Sequence, residues 1–226
     1  MELSEFVEKF HDLRGQGFVA SHRRGPTGVG KTLEDLLHLP ENNIASPDLG
    51  LIELKAHRSN STSLITLFTF NRKVWQMKPL DAIRQYGSLD PKGRLGMYYT
   101  MLLKPNSAGL FLYVEKEHVS VRHISGNVIA VWSLESLVQQ FVRKIPALIV
   151  VSAYAEMRGD IEYFHYFRAR LMKNPSPALL ADQFREETIF LDLRLHDAET
   201  KARNHGTGFR IADKNLPSLF REVIDL

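Results

Sequence analysis

The stretch covering residues 47–55 places two acidic residues and one lysine around a short apolar segment. Residues 51–56 are typical of a β-strand, because they are largely apolar, follow a proline and a glycine, and precede a polar run. Side chains alternate between the two faces of a strand, so Glu53 and Lys55 share one face and the apolar residues beside them share the other. Asp48 lies just ahead of the strand and can turn back toward Glu53. The sequence therefore predicts that these three side chains converge.

Two carboxylates and an ammonium at one point suit divalent-metal phosphodiester chemistry. Asp48 and Glu53 would hold a hard cation such as Mg²⁺, which prefers oxygen ligands. The metal would polarise a phosphate and activate water, while Lys55 would orient that water or neutralise developing charge. A solvated sheet face is the alternative, since a short acid-x-lysine pattern is not specific by itself.

Composition narrows the class of protein. The 226 residues are 44% apolar and 24% charged, which is ordinary for a globular chain long enough to form a real core. The lack of cysteine excludes disulfides and thiolate metal sites. No apolar run is long enough to span a bilayer, and the acidic N-terminus is unlike a signal peptide, so we expect a cytoplasmic protein without a membrane partner. The net charge of +3 is compatible with nucleic-acid binding.

A glycine-rich loop at 25–32 matches the phosphate-binding pattern G-x-x-x-x-G-K-[ST]. A nucleotide-binding loop should follow a buried hydrophobic strand, but only residues 18–20 are apolar and four polar residues intervene; a partner aspartate is present only loosely, in 189–192. The second possibility is a tight turn that opens a helix. A third, which we favour, is that Arg23, Arg24 and the backbone amides of this helix start grip a DNA phosphate.

Periodicity predicts an α/β fold with a mixed central β-sheet flanked by helices, in one domain spanning 1–226. The predicted helices are 2–14, a segment following the glycine-rich loop, 79–86, 133–143, 161–172, 178–184 and 216–224. The predicted strands are 51–56, 63–70, 97–103, 109–114, 119–124, 128–132, 147–152 and 188–195. The four strands from 97 to 132 are expected to form a small antiparallel β-meander. This meander could form a subdomain over 95–132.

Three blocks in order carry a family resemblance: 24–34, 42–55 together with 66–69, and 203–211. Together they resemble the MvaI/BcnI family of type II restriction endonucleases, whose core is similar to that of the mismatch-repair nicking enzyme MutH within the PD-(D/E)xK nuclease superfamily. The third block looks closer to the MvaI branch. The resemblance implies a restriction-endonuclease-like core and a glycine-rich loop that binds no nucleotide cofactor.

For catalysis, the resemblance implies roles for Asp48, Glu53 and Lys55, in agreement with the chemistry above. It adds Glu34 as an acid near the metal site. The alternative for Glu34 is an acid that complements the helix dipole.

For DNA recognition, the resemblance implies that Arg194 and Arg210 read guanine edges in the major groove, where the arginine fork matches O6 and N7. The alternative is that both are surface arginines in salt bridges. His205 would contact a base or a phosphate, or serve a structural role. Thr69 lies where the family approaches the central base pair.

The expected function is a Mg²⁺-dependent, site-specific endonuclease for double-stranded DNA that leaves 5′-phosphate ends. The expected target is two C·G pairs, a central pair taken as A·T, and two G·C pairs. Family resemblance also implies a monomer that cuts one strand at a time, with a companion DNA methyltransferase. One alternative is a MutH-like repair nickase that depends on partner proteins. Another is a DNA-binding protein without cleavage, which the presence of all three catalytic residues disfavours.

Overall fold

The computed structural model describes residues 1–39, 49–59, 61–71, 73–205 and 207–226. Its described α-helices are α1 (Leu3–Gly15), α2 (Gly28–Leu36), α3 (Pro79–Tyr86), α4 (Leu134–Lys144) and α5 (Pro177–Arg185). A 3₁₀-helix covers Asp213–Leu219. The described strands are β1 (Val19–Ala20), β2 (Ile52–Arg58), β3 (Ile65–Thr69), β4 (Ser88–Leu89), β5 (Leu95–Met101), β6 (Leu110–Val114), β7 (His118–His123), β8 (Val128–Ser133), β9 (Ala147–Arg158), β10 (Ile161–Pro175), β11 (Ile189–Asp197), β12 (Ala202–Asn204), β13 (Gly208–Ile211) and β14 (Phe220–Asp225).

The chain contains two compact units. The first consists of Met1–Ser63, Val142–Ser176 and Leu216–Leu226, and the second of Leu64–Phe141 and Pro177–Asn215. The first unit is built on a sheet in the order β1-β10-β9-β2, with β14 also paired to β10. Strand β2 runs parallel to β9, and the other pairs are antiparallel. This sheet is therefore mixed, as predicted.

Helices α1 and α2 supply much of the apolar core of the first unit. In α1 the residues Phe6, Phe10 and Leu13 follow helical spacing and are buried, and the two phenylalanine rings stack with centroids 6.1 Å apart. They share a core with apolar residues of β9 and β10. The hydroxyl of Tyr166 on β10 donates to the carbonyl of Val29 on α2 at 2.8 Å, which satisfies a buried polar group.

The second unit contains a six-stranded sheet in the order β3-β13-β11-β5-β4, with β12 paired to β11, and a three-stranded sheet β6-β7-β8. Its core is rich in aromatic residues around Phe209. The rings of Trp132 and Phe184 meet Phe209 edge to face at 5.6 and 5.5 Å between centroids. Edge-to-face contacts of this kind are favoured by the quadrupoles of the rings.

Several predicted elements are confirmed. The strand predicted at 51–56 is β2, and the strand predicted at 147–152 lies inside β9, between two neighbours. Helix α4 begins after Ser133, whose hydroxyl accepts a hydrogen bond from the backbone amide of Ser136 at 3.1 Å, as an N-cap should. Among the described residues, no helix is both long enough and apolar enough to cross a membrane.

Two predicted helices are wrong. Residues 161–172 belong to β10, whose aromatic side chains fall on both faces of the sheet. Residues 216–224 divide between the 3₁₀-helix and β14, which pairs with β10. The pairing of β10 with β9, and that of β14 with β10, overrides an apolar spacing that also fits a helix.

The predicted four-stranded meander is also wrong in its first strand. The segment predicted at 97–103 is β5, which pairs with β11 in the six-stranded sheet. The other three strands form the antiparallel sheet β6-β7-β8. The single domain over 1–226 stays a prediction.

Candidate active site and nucleic-acid interface

Glu53 lies on β2 with its carboxylate between two ammonium groups. Its residue exposure is only 4%. Oε1 accepts a hydrogen bond from Nζ of Lys55 at 2.9 Å. The contact is possible because residues two positions apart on a strand have side chains on the same face. Oε2 lies 2.9 Å from Nζ of Lys144, in the last turn of α4. The predicted convergence of Glu53 and Lys55 is therefore confirmed, and Lys144 adds a second cation to the same carboxylate.

The Glu53 carboxylate fits one part of a metal site. Its Oε2 is buried and, within the described ranges, accepts no hydrogen bond, so the contact with Lys144 is ionic rather than a well-aligned hydrogen bond. An oxygen with spare acceptor capacity is the type of ligand that a hard cation takes. Asp48 lies outside the described residues, so its place beside Glu53 stays a prediction. Within the described part of the chain there is no cluster of three histidine, aspartate or glutamate side chains placed to hold a metal.

Glu34 lies on α2 and is half-buried. Burial raises the pKa of the Tyr166 hydroxyl, and the negative charges of Glu162 and Glu34 contribute to the same rise. Glu34 therefore interacts electrostatically with Tyr166. Its role as an acid near the metal site stays a prediction.

The glycine-rich loop lacks the setting of a nucleotide-binding loop. The strand before it, β1, has two residues and pairs antiparallel with β10 at the edge of the sheet, whereas such a loop should follow a buried strand. Lys31 pairs with Asp35 at 2.9 Å along α2. At Gly28 a Cβ atom would lie 2.3 Å from the carbonyl oxygen of Arg23, so the turn into α2 requires glycine there.

The side chains at the tip of this loop differ in exposure. Thr32 is fully buried, and its hydroxyl accepts a hydrogen bond from the backbone amide of His22 at 2.9 Å. Arg23 and Arg24 are exposed. The loop therefore presents two guanidinium groups to solvent, as a phosphate-binding surface requires.

Arg194 and Arg210 meet at one buried carboxylate. Asp192 on β11 is 2% exposed, and its Oδ2 accepts a hydrogen bond from Nη2 of Arg194 at 2.8 Å. Nε of Arg210 on β13 lies 2.9 Å from the same oxygen, at ion-pair distance but without hydrogen-bond alignment. The hydroxyl of Thr100 on β5 donates to Oδ1. A buried charge needs such partners, and Asp192 thereby holds both predicted base readers together.

The two arginines keep part of their surface in contact with solvent. The side chain of Arg194 is 37% exposed and that of Arg210 is 26% exposed. Both arginines therefore form ion pairs with Asp192, as the predicted alternative of salt-bridged arginines requires. Each guanidinium carries five N–H bonds, of which one, on Nη2 of Arg194, donates to Asp192, while Nε of Arg210 is buried beside the same carboxylate.

His205 and Thr69 lie near this pair. The backbone amide of His205 donates to the carbonyl of Arg194 at 2.7 Å, and its Nε2 lies 2.7 Å from Nδ1 of His196. Desolvation lowers the pKa of His205, as do the charges of His196 and two arginines. Thr69 is exposed at the end of β3, beside β13, which carries Arg210. Thr69, Arg194 and Arg210 therefore lie on strands of one sheet of the second unit, and His205, which follows β12, is hydrogen-bonded to that sheet.

A protein-family model described as the MvaI/BcnI restriction endonuclease family matches residues 7–220. The chain belongs to the MvaI/BcnI restriction endonuclease family. It is accordingly a type II site-specific deoxyribonuclease. No curated protein matches the chain significantly.

Two solved structures of a member of the MvaI/BcnI family are similar to this chain. The first is the complex of restriction endonuclease MvaI with its cognate DNA substrate, which is 25% identical, has a TM-score of 0.82, and is matched over 100% of this chain and 99% of that chain. The second is MvaI in the absence of DNA, at 25% identity and a TM-score of 0.55, over 100% and 98% of the two chains. These matches confirm the predicted restriction-endonuclease-like fold.

The sequence did not reveal two residues that the structure of this MvaI/BcnI family member places beside the predicted site residues. Asp192 carried a usable signal, because an acid inside an apolar strand must find buried partners. Lys144 carried little, since a lysine in the last turn of a helix is commonly explained by the helix dipole.

Proposed function

We propose that this chain cleaves double-stranded DNA at a short pseudo-palindromic site in a Mg²⁺-dependent reaction. The observation that carries the proposal is the pair Glu53 and Lys55 on one face of β2, at 2.9 Å, in a member of a restriction endonuclease family. Restriction endonucleases generally use a divalent metal. The proposed site is of the CC-central pair-GG type with a central A·T, because the third sequence block resembles the MvaI branch.

The proposed metal ligands are Asp48 and Glu53. Bound there, the ion would supply Lewis-acid polarisation of the scissile phosphate and activation of water. Lys55 would orient that water or neutralise the developing charge on the phosphate. Nζ of Lys144 lies 2.9 Å from the second oxygen of Glu53 and would help to hold this carboxylate in place. Glu34 is proposed as a further acid near the metal.

We propose that different residues contact the bases and the backbone of the DNA. Arg194 and Arg210 would each contact a guanine in the major groove, oriented by the shared carboxylate of Asp192. His205 would contact a base or phosphate next to Arg194, and Thr69 would approach the central pair. The support for this division is that Thr69, Arg194 and Arg210 lie on one sheet and that the backbone amide of His205 donates to the carbonyl of Arg194.

The phosphate contacts would come from the other unit. Arg23 and Arg24 are exposed on the glycine-rich loop, and phosphate contacts fix the register of a protein on DNA without carrying sequence information. No nucleotide cofactor has a part in this proposal. We also propose a cytoplasmic monomer that cuts one strand at a time, protected by a companion DNA methyltransferase.

The experiment is digestion of unmethylated phage DNA by the purified chain alone in Mg²⁺, followed by sequencing of the ends. We expect discrete fragments with 5′-phosphates that all map to one CC-A·T-GG type of site. Random fragments would contradict site-specific cleavage. Cleavage that requires an added protein would instead favour a repair nickase, which uses the same Glu53 and Lys55.

A further inference from the structure

Arg58 ends the strand that carries Glu53 and Lys55, and its side chain reaches the glycine-rich loop. Its Nη1 donates to the carbonyl of Pro26 at 2.9 Å, and its Nη2 donates to the carbonyl of Gly25 at 3.1 Å. These two carbonyls directly follow Arg24 in the chain. One guanidinium therefore holds the segment from which the proposed phosphate contact projects.

Glu162 on β10 fixes the same guanidinium from the other side. Nε of Arg58 donates to Oε1 at 2.7 Å and Nη2 donates to Oε2 at 2.8 Å, which is the bidentate geometry that favours arginine over lysine. The guanidinium carbon also lies 5.1 Å from the centroid of the Phe164 ring. The backbone carbonyl of Glu162 accepts from the amide of Ser21 at 2.8 Å. Glu162 thus holds Ser21, which precedes the loop, and through Arg58 it also holds Gly25 and Pro26 at the start of the loop.

The loop itself is tightly closed between these anchors. The hydroxyl of Ser21 donates to the carbonyl of Arg23 at 2.7 Å, and the close approach at Gly28 leaves no room for a side chain there. Gly25 has a φ of 89°, a conformation that glycine adopts at low cost. A loop held in this way loses little conformational freedom when it binds, so its contacts contribute more to affinity.

We propose that Arg58, clamped by Glu162, is a positioning residue that holds the glycine-rich loop in the conformation in which Arg24 contacts a DNA phosphate. The inference rests on the proposed function, because it assumes that DNA is the partner. It goes further by assigning DNA backbone affinity to a residue that need not touch DNA. The clamp also links the end of β2 to the phosphate contact within one unit.

The first test is Arg58→Lys, which keeps the positive charge but cannot span Glu162 and two carbonyls at once. Binding to a CC-A·T-GG duplex and to a scrambled duplex is measured by fluorescence anisotropy in Ca²⁺ across a KCl series. We expect the slope of log K against log[KCl] to fall by about one unit, equivalent to about eightfold weaker binding at 0.1 M salt, on both duplexes. Arg24→Ala should give the same loss, and the double variant should lose no more than either alone.

The second test, Glu162→Gln, separates positioning from simple charge. Removal of a negative charge should by itself strengthen DNA binding, whereas loss of the clamp should weaken it. We expect weaker binding with the lower salt slope. Arg168→Lys is the matched control, because Arg168 makes a bidentate pair with Asp225 on β14 of the same unit. It should leave the slope unchanged.

Wild-type salt slopes for Arg58→Lys, additive losses with Arg24→Ala, or tighter binding by Glu162→Gln would each overturn the proposal. Thermal unfolding is recorded for every variant, and if Arg58→Lys does not fold, Glu162→Gln decides. A wild-type chain that neither binds nor cuts DNA would instead refute the proposed function. The two failures are therefore distinguishable.

Discussion

Removing either predicted base reader should damage specificity without damaging the fold. In Arg194→Ala, the buried Asp192 keeps its contacts with Arg210 and Thr100, so no charge is left without a partner. The lost contact is a hydrogen bond to a carboxylate that is 2% exposed, and hydrogen bonds to charged groups contribute about 1.5–3 kcal/mol. We therefore expect the free energy of unfolding to fall by no more than about 3 kcal/mol, with the variant still folded.

The loss should appear in cognate binding instead. A bidentate contact to guanine contributes roughly 1–3 kcal/mol of discrimination, which corresponds to about 5-fold to 150-fold in affinity at that base pair. Anisotropy in Ca²⁺ on the CC-A·T-GG duplex, on duplexes with one G·C pair exchanged, and on a scrambled duplex measures this directly. For each arginine variant, the exchange of one G·C pair should no longer lower the affinity, while the affinity for the scrambled duplex stays near the wild-type value.

Asp192→Asn provides the complementary test. The amide keeps the shape of the side chain but removes the charge that orients both guanidinium groups, so discrimination should fall at both G·C pairs together. Arg185→Ala is a matched control, because Arg185 makes an exposed ion pair with Asp182 in the same unit. Parallel weakening of cognate and scrambled duplexes by Arg194→Ala and Arg210→Ala would refute the assignment of these residues as base readers.

The remaining predictions concern catalysis and the glycine-rich loop. Lys55→Ala should abolish cleavage but retain most DNA affinity, since one charge is a small part of the interface and Lys144 still balances Glu53. Gel assays measure the cleavage and anisotropy measures the affinity. Cleavage by the variant at the wild-type rate would contradict this prediction. Asp48→Ala should lose Mg²⁺-dependent cleavage, which digestion of end-labelled DNA measures. In Ca²⁺ the wild-type protein should bind DNA without cleaving it. Rapid cleavage in Ca²⁺ would argue against the proposed metal site. Lys31→Ala should leave DNA cleavage in the absence of ATP intact. Calorimetry should find no micromolar ATP binding by the wild-type protein. ATP binding by the wild type that is lost in the variant would restore the nucleotide-binding hypothesis.

The catalytic strand could be predicted from sequence because strand periodicity is local. Alternation alone places Glu53 and Lys55 on one face, and the structure places their charged atoms 2.9 Å apart. The partners of Glu53 and of the two arginines could not be predicted in the same way. Lys144 lies 91 positions from Glu53, and Asp192 gains its importance from strands β5 and β13 that pair on its two sides. These contacts depend on which strands become neighbours, and no local pattern encodes that order.

The segments assigned wrongly show where local patterns are ambiguous. In 216–224 the apolar residues Leu216, Leu219, Phe220 and Val223 follow helical spacing, yet Phe220–Asp225 is a strand on the edge of β10. A short apolar run can satisfy both periods, and tertiary pairing decides between them. The strand β10 itself was obscured because its alternation is interrupted.

That interruption is a β-bulge. Tyr166 pairs with Ala153 and Arg168 pairs with Ser152, so Phe167 is one residue more than the partner strand supplies. Because of the extra residue, Phe164 and Tyr166 before it and Ala169 and Leu171 after it all enter the same core.

The bulge constrains how the length of this hairpin can change during evolution. Loss of Phe167 alone would turn one half of β10 over, which would move Ala169 and Leu171 out of this core and turn Arg170 toward it. Single-residue insertions and deletions in 161–175 should therefore be tolerated only where a second change restores the parity of the strand. Among homologues, we expect length differences in this hairpin to be even in number or to coincide with loss of the bulge.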